Sequence, residues 1–173
     1  MDGILKDARD IVESGWQSCG RHVRGLEAAI AALAGATHGI AVSNCSDGLI
    51  AVLRSVARPG AEVIIPSFTY LATCSSVVWA GMMPVVVDVE RRGIIDPAAV
   101  RDALTPRTGA VLAVHLTGAP APMGALRDLL AGSGIALVAD AAHALGAVHA
   151  DERPVGSIGD AEVFSIGDRK SVV

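Results

Sequence analysis

The sequence predicts an α/β fold, a mainly parallel sheet covered by helices on both faces. Three observations carry this expectation. Hydrophobic residues make up 51% of the 173 residues and charged residues 18%, so the chain has ample material for a core. Several short runs are apolar throughout, without polar alternation, as in strands buried on both faces. Each run is followed by a segment of helix length, the pattern of strands joined by crossover helices.

The elements follow in order. LEAAIAALAG (26–35) is Ala-rich and stops on a glycine, which suits a helix and its C-terminal cap. GIAVS (39–43) reads as a short strand, with Ser46 as N-cap of a helix through SDGLIAVLRSVA. Pro59-Gly60 breaks that helix, and EVIIP (62–66) is β-branched and apolar, a buried strand. A helix over 71–80 leads to the strand PVVVDV (84–89), then to the helix DPAAVRDAL (96–104) and the strand GAVLAVHL (109–116). APMGALRDLLAGSG reads as a helix ending at glycine, and IALVAD (135–140) as the next strand. No internal repeat, low-complexity tract or linker interrupts the series, so one domain is expected. Aromatics are only 3%, which leaves the core to Ala, Val, Leu and Ile.

Composition excludes several classes. The formal net charge is -4 and Arg is scattered, so no basic patch for nucleic acid is expected. Cys19, Cys45 and Cys74 form no CxxC pair and are odd in number, which fits reduced thiols in a cytoplasmic protein rather than disulfides or a zinc site. MDGILKDARDIVESGW is too charged for a signal peptide, and VVWAGMMPVVV is broken by Gly81 and Pro84, so no membrane partner is expected.

In open α/β sheets ligands gather beyond the carboxyl ends of the strands. The residues at those ends are Asn44 to Gly48, Ser67 to Tyr70, His115, and Asp140 with His143. SNCSDGL sets small residues and backbone N–H groups at a helix start, where the helix dipole favours a phosphate; the alternative is that Ser46 only caps the helix. It is not a Walker loop, because no GxxxxGK[ST] occurs, and no GxGxxG marks a dinucleotide site. Tyr70, the single tyrosine, either stacks on a planar ligand or lies at a core edge with its hydroxyl in water. Asp140 follows IALVA, and either caps a helix over AAHALGA or meets a cationic ligand group. His115 and His143 are either structural or bases.

The order of these features resembles one family. SGWQSCGRHVRGLEAAIAAL, HGIAVSNCSDGLIAVL, PGAEVIIPSFTYLAT, GMMPVVVDVE, AVHLTGAP, VADAAHALGA and VGSIGDAEVFS look like the DegT/DnrJ/StrS family of nucleotide-sugar aminotransferases, over about residues 14–165. The resemblance implies a fold-type-I enzyme using pyridoxal 5'-phosphate (PLP). It implies that Ser46 and Asp47 lie in the phosphate loop, where Cys45 replaces a frequent glycine. Tyr70 would stack on the pyridine ring, Asp140 would pair with the protonated ring nitrogen, His143 would lie close to the ring, and Ser165 would add a hydroxyl to the phosphate site. The implied reaction is amino transfer from a donor such as glutamate to a keto group on a nucleotide-linked sugar, in a homodimer.

The family's chain continues well past this length, so residues 1–173 are expected to be part of a large domain, without its remainder or a small domain. Alternatives to the aminotransferase are an inactive truncated fragment or a sugar dehydratase relative, in which histidine replaces the lysine. Lys170 stands five residues after Ser165, the register of the Schiff-base lysine in patterns like FSFxxTK. The family then runs into a glycine-rich stretch, whereas this chain ends in Ser171, Val172 and Val173. DRKSVV also resembles the in-frame translation of a sequencing-adapter oligonucleotide. Two readings stand side by side: Lys170 as the Schiff-base residue, or residues 168–173 as non-native sequence that meets the register by accident.

Overall fold

Helices and strands alternate along most of the chain. The elements are α1 (Asp2–Ser14), α2 (Arg21–Ala34), α3 (Cys45–Val56), β1 (Glu62–Pro66), α4 (Leu71–Trp79), β2 (Met83–Val87), α5 (Pro97–Ala103), β3 (Thr108–Val114), a 3-10 turn Leu116–Gly118, α6 (Met123–Leu129), β4 (Ala136–Asp140) and β5 (Ala161–Val163). This computed structural model describes residues 2–16 and 18–166, and Lys170 lies outside them.

The five strands form one sheet in the order β2-β1-β3-β4-β5, and every neighbouring pair is parallel. Successive side chains of a strand point to opposite faces, and β1 shows the consequence. Val63 and Ile65 join Leu112 and Val138 on one face, beneath Leu49 and Leu53 of α3 and Val77 of α4. Ile64, with Val111 and Leu137, turns to the other face, against Val100 of α5 and Met123 and Leu126 of α6. Burying one such side chain fully contributes about 1.5–3 kcal/mol. The sheet is therefore held by two apolar layers, as the uniformly apolar strands required.

The cover is incomplete at β2. This edge strand leaves Val86 58% exposed, on the face that α3 and α4 cover elsewhere. Three further expectations are corrected, and one strand is added. GIAVS forms no strand: Ile40 is exposed, and the N–H of Ala41 donates to Glu27 Oε1 at 2.9 Å instead of to a strand. The N-cap of α3 is Asn44, not Ser46, because the Asn44 side chain accepts the N–H of Asp47 at 2.9 Å. AAHALGA is a run of turns rather than a helix. The fifth strand is Ala161–Val163, whose central Glu162 hid it in an otherwise apolar pattern.

This topology fixes where a ligand sits. From β1 the chain goes to β2 on one side and returns to β3 on the other, so a switch point lies between the carboxyl ends of β1 and β3. Open α/β sheets bind ligands there. Among the described residues no helix is long and apolar enough to cross a membrane.

Candidate functional site

A cavity of about 340 Å³ opens at that switch point. This is within the size range of small-molecule sites. Its wall takes Ser46 from α3, Tyr70 after β1, His115 after β3, and Asp140 and His143 from the end of β4 onward. Chain segments far apart in sequence thus deliver a hydroxyl, an aromatic ring, two imidazoles and a carboxylate to one space.

Asp140 is the last residue of β4 and 7% exposed. A buried carboxylate needs hydrogen-bond donors. Its Oδ2 accepts the Thr73 hydroxyl at 3.0 Å, and Thr73 shares a 2.8 Å hydrogen bond with Thr69. Its Oδ1 accepts the N–H of Ala142 at 3.1 Å, with the Cys45 sulfur at 3.9 Å. None of these partners is a cation. Tyr70 precedes α4, is 74% exposed, and borders the cavity.

The first turn of α3 faces the cavity through Cys45 and Ser46. A helix start carries backbone N–H groups and the positive end of the dipole, which suits an anion. Asp47 turns elsewhere. Its Oδ2 accepts from the Ser43 hydroxyl at 2.6 Å and from Asn44 Nδ2 at 2.8 Å, and it is not among the residues lining the cavity. Ser165 lies two residues past β5 and is not among them either, while Lys170 is outside the described residues.

Beneath the wall lies a buried polar cluster that the sequence did not reveal. His115 Nε2 is 3.2 Å from Glu162 Oε2, and both side chains are buried. The N–H of Ala121 donates to His115 Nδ1 at 2.8 Å, and that of Gly159 to Glu162 Oε1 at 3.0 Å. Burial works to raise the Glu162 carboxyl, but the His115 and Gly159 donors outweigh it and leave it below the usual carboxylate range. The ring of His149 stands 5.7 Å from that of His115, edge to face. Burial, and then the neighbouring His115, lower the His149 imidazole. Thr73 and Glu162 were missed because each acts through a partner distant in sequence. The only local signal was Thr69 and Thr73, one helical turn apart.

Comparison with known proteins fits this geometry. The model of the DegT/DnrJ/EryC1/StrS aminotransferase family matches residues 2–173. A curated relative from Acidithiobacillus ferrooxidans, a UDP-N-acetyl-3-dehydro-alpha-D-glucosamine 3-aminotransferase, is 38% identical over 173 residues, 99% of this chain and 47% of its own. DesI, solved in the presence of its TDP-sugar product, is 41% identical with a TM-score of 0.89, over 97% of this chain and 43% of that one. Spr1654 from Streptococcus pneumoniae, solved in a PLP form, is 27% identical with a TM-score of 0.87, over 96% of this chain and 47% of that one. The chain therefore spans about half the length of the relatives it matches.

Proposed function

Since this chain belongs to the DegT/DnrJ/EryC1/StrS aminotransferase family, we propose that its cavity is a PLP site and that the whole protein transfers an amino group to a keto sugar linked to a nucleotide. The observation that carries this reading is Asp140: a buried carboxylate, held by neutral donors and lining a cavity between an aromatic ring and a helix start.

The residues present fit the cofactor. Asp140 has no cationic partner among the described residues, and an N–H of a pyridinium ring supplies one. Its carboxylate holds the proton on that ring nitrogen. The Tyr70 ring covers a flat ligand face, and His143 borders the same space. Ser46 and the first-turn N–H groups of α3 bind the phosphate. Asp47 serves by holding the cap that orients this turn, through Ser43 and Asn44. Sequence register supports Ser165 as a further hydroxyl on the phosphate and, where residues 168–173 are native, Lys170 as the residue that would carry the cofactor and move the proton during transfer. PLP, once bound, supplies an electron sink for the carbanion formed in amino transfer.

The substrate class rests on the relatives, one named for a UDP-sugar and one solved with a TDP-sugar. In the whole protein an amino acid such as glutamate gives its amino group and leaves as the keto acid, while the sugar's keto group becomes an amine. A homodimer belongs to this reading. Its support is an apolar face with Leu71, Val78 and Trp79 of α4 and Val86 of β2, all exposed, a composition that marks an interaction surface. A cytoplasmic location is supported by the odd, unspaced cysteines.

Titration of PLP into the purified chain tests the site, with absorbance and tryptophan fluorescence as readouts. Saturable binding is expected, weakened about tenfold or more by Asp140→Asn, which removes the charge but keeps the shape. Absence of saturable binding by the unaltered chain at millimolar PLP overturns the reading.

A further inference from the structure

We propose that Glu162 is a positioning residue for this site: its carboxylate fixes the tautomer of His115, and through it the turn that builds the cavity wall. The link to cofactor binding rests on the function proposed above; the tautomer does not.

A backbone amide only donates, and the N–H of Ala121 points at His115 Nδ1 across 2.8 Å. Nδ1 is therefore the bare, accepting nitrogen. The ring proton sits on Nε2, which faces Glu162 Oε2 at 3.2 Å. The other carboxylate oxygen already accepts from Gly159 at 3.0 Å. Glu162 thus meets an N–H donor with each oxygen. Only an acceptor-only group satisfies both, because an amide would turn its NH2 toward one of the two donors. In this buried setting such a mismatch is costly.

The fixed ring holds more than itself. Between His115 and Ala121 the chain makes a tight turn in which Thr117 has φ 52, a left-handed conformation that persists only where its surroundings impose it. Leu116 of that turn lines the cavity. Gly118 lies so close to the His143 backbone that an added Cβ would stand 3.2 Å from its carbonyl oxygen. The N–H of His115 also donates to the Asp140 carbonyl at 3.0 Å. From β5, then, Glu162 reaches the wall beside His143 and the strand end bearing Asp140, without itself lining the cavity.

The test reads the ring directly. In the nitrogen-15-labelled chain without cofactor, proton–nitrogen correlation spectra should show His115 bare at Nδ1 and protonated at Nε2, with a slowly exchanging Ala121 amide. In E162Q the tautomer should shift or Ala121 exchange should rise at least about tenfold, and PLP affinity should fall about tenfold, as one buried hydrogen bond to a charge would give. A proton on Nδ1 in the unaltered chain overturns the proposal. So does an E162Q protein whose tautomer and exchange are unchanged, or one with both altered and PLP affinity intact. If E162Q does not fold, the spectrum of the unaltered chain decides alone. The expected tautomer and exchange effects in a chain that binds no PLP sustain the His115 assignment while removing the proposed function and the positioning role with it.

Discussion

The hydroxyl of Thr73 donates to Oδ2 of Asp140 at 3.0 Å, tying the first turn of α4 to the end of β4 across 67 residues of sequence. Thr73 is fully buried, so this bond does not compete with water. It also orients the carboxylate, since Oδ1 is held separately by the N–H of Ala142. The side chain on which the proposed cofactor chemistry depends is thus aimed by two donors before any ligand arrives.

Replacing Thr73 by Val keeps the shape and deletes the donor. Asp140 is then left buried with one fewer hydrogen bond, a loss of about 1–3 kcal/mol. The urea midpoint should fall with the slope unchanged, and PLP should bind more weakly. Thr73→Ser keeps the hydroxyl and should recover most of the affinity. A Val variant that binds PLP as the unaltered chain does would show that Asp140 is oriented without Thr73.

His149 gives the fold a pH dependence with a definite sign. The residue is 8% exposed, and its Nε2 has no hydrogen-bond partner among the described residues. Burial and the adjacent His115 lower its imidazole, with Glu162 and Asp151 opposing. The unfolded chain, with an ordinary histidine value near 6.5, therefore takes up the proton first as pH falls. Stability is fully present above the unfolded value, is lost as pH drops below about 6.5, and levels off below the folded value. His149→Phe keeps a ring in the core and removes the titration. Between pH 7.5 and 5 its denaturation midpoint should decline less than that of the unaltered chain. Parallel declines in the two proteins would assign the acid sensitivity to other groups.

These residues show what was legible in the sequence and why the rest was not. EVIIP and IALVAD were readable as strands because parallel strands in the centre of a sheet need apolar side chains on both faces, which is a local property. GIAVS has the same composition, but pairing decides whether such a run is a strand, and pairing is not local. Ala161–Val163 erred in the opposite direction, because its Glu162 is satisfied by His115, 47 residues away. Asp140 could be singled out because a carboxylate at the end of an apolar run is conspicuous. Thr73 and Glu162 could not, since a threonine in a helix start and a glutamate near a turn are ordinary until their partners are known. The cap expected at Ser46 lies two positions too late, as the choice between it and Asn44 rests on which side chain reaches the N–H of Asp47.

The attachment of α2 depends on one glycine. Gly156 has φ 112, and a Cβ there would stand 2.4 Å from the Cβ of Ala34 and 2.9 Å from its carbonyl oxygen. Ala34 is the last residue of α2 and is buried. A Cβ added at the neighbouring Gly35 would stand 2.9 Å from Pro154 Cγ and 3.3 Å from Ser157 Cβ, so the segment 154–157 is the bed on which the end of α2 rests. Gly156→Ala would impose both a backbone conformation that L side chains rarely adopt and an overlap with a helix end that cannot move without leaving the core. The cost should be about 2–6 kcal/mol, the sum of the two effects. Because the buried residues of α2, Ala31 and Ala34, both lie in its last turn, the damage should be local as well as global. Amide exchange in α2 should quicken more than in the central strands β1 and β3, and thermal unfolding should begin earlier. If Gly156→Ala melts with the unaltered chain and α2 keeps its protection, the close approach of Ala34 to this turn is not what holds the helix in place.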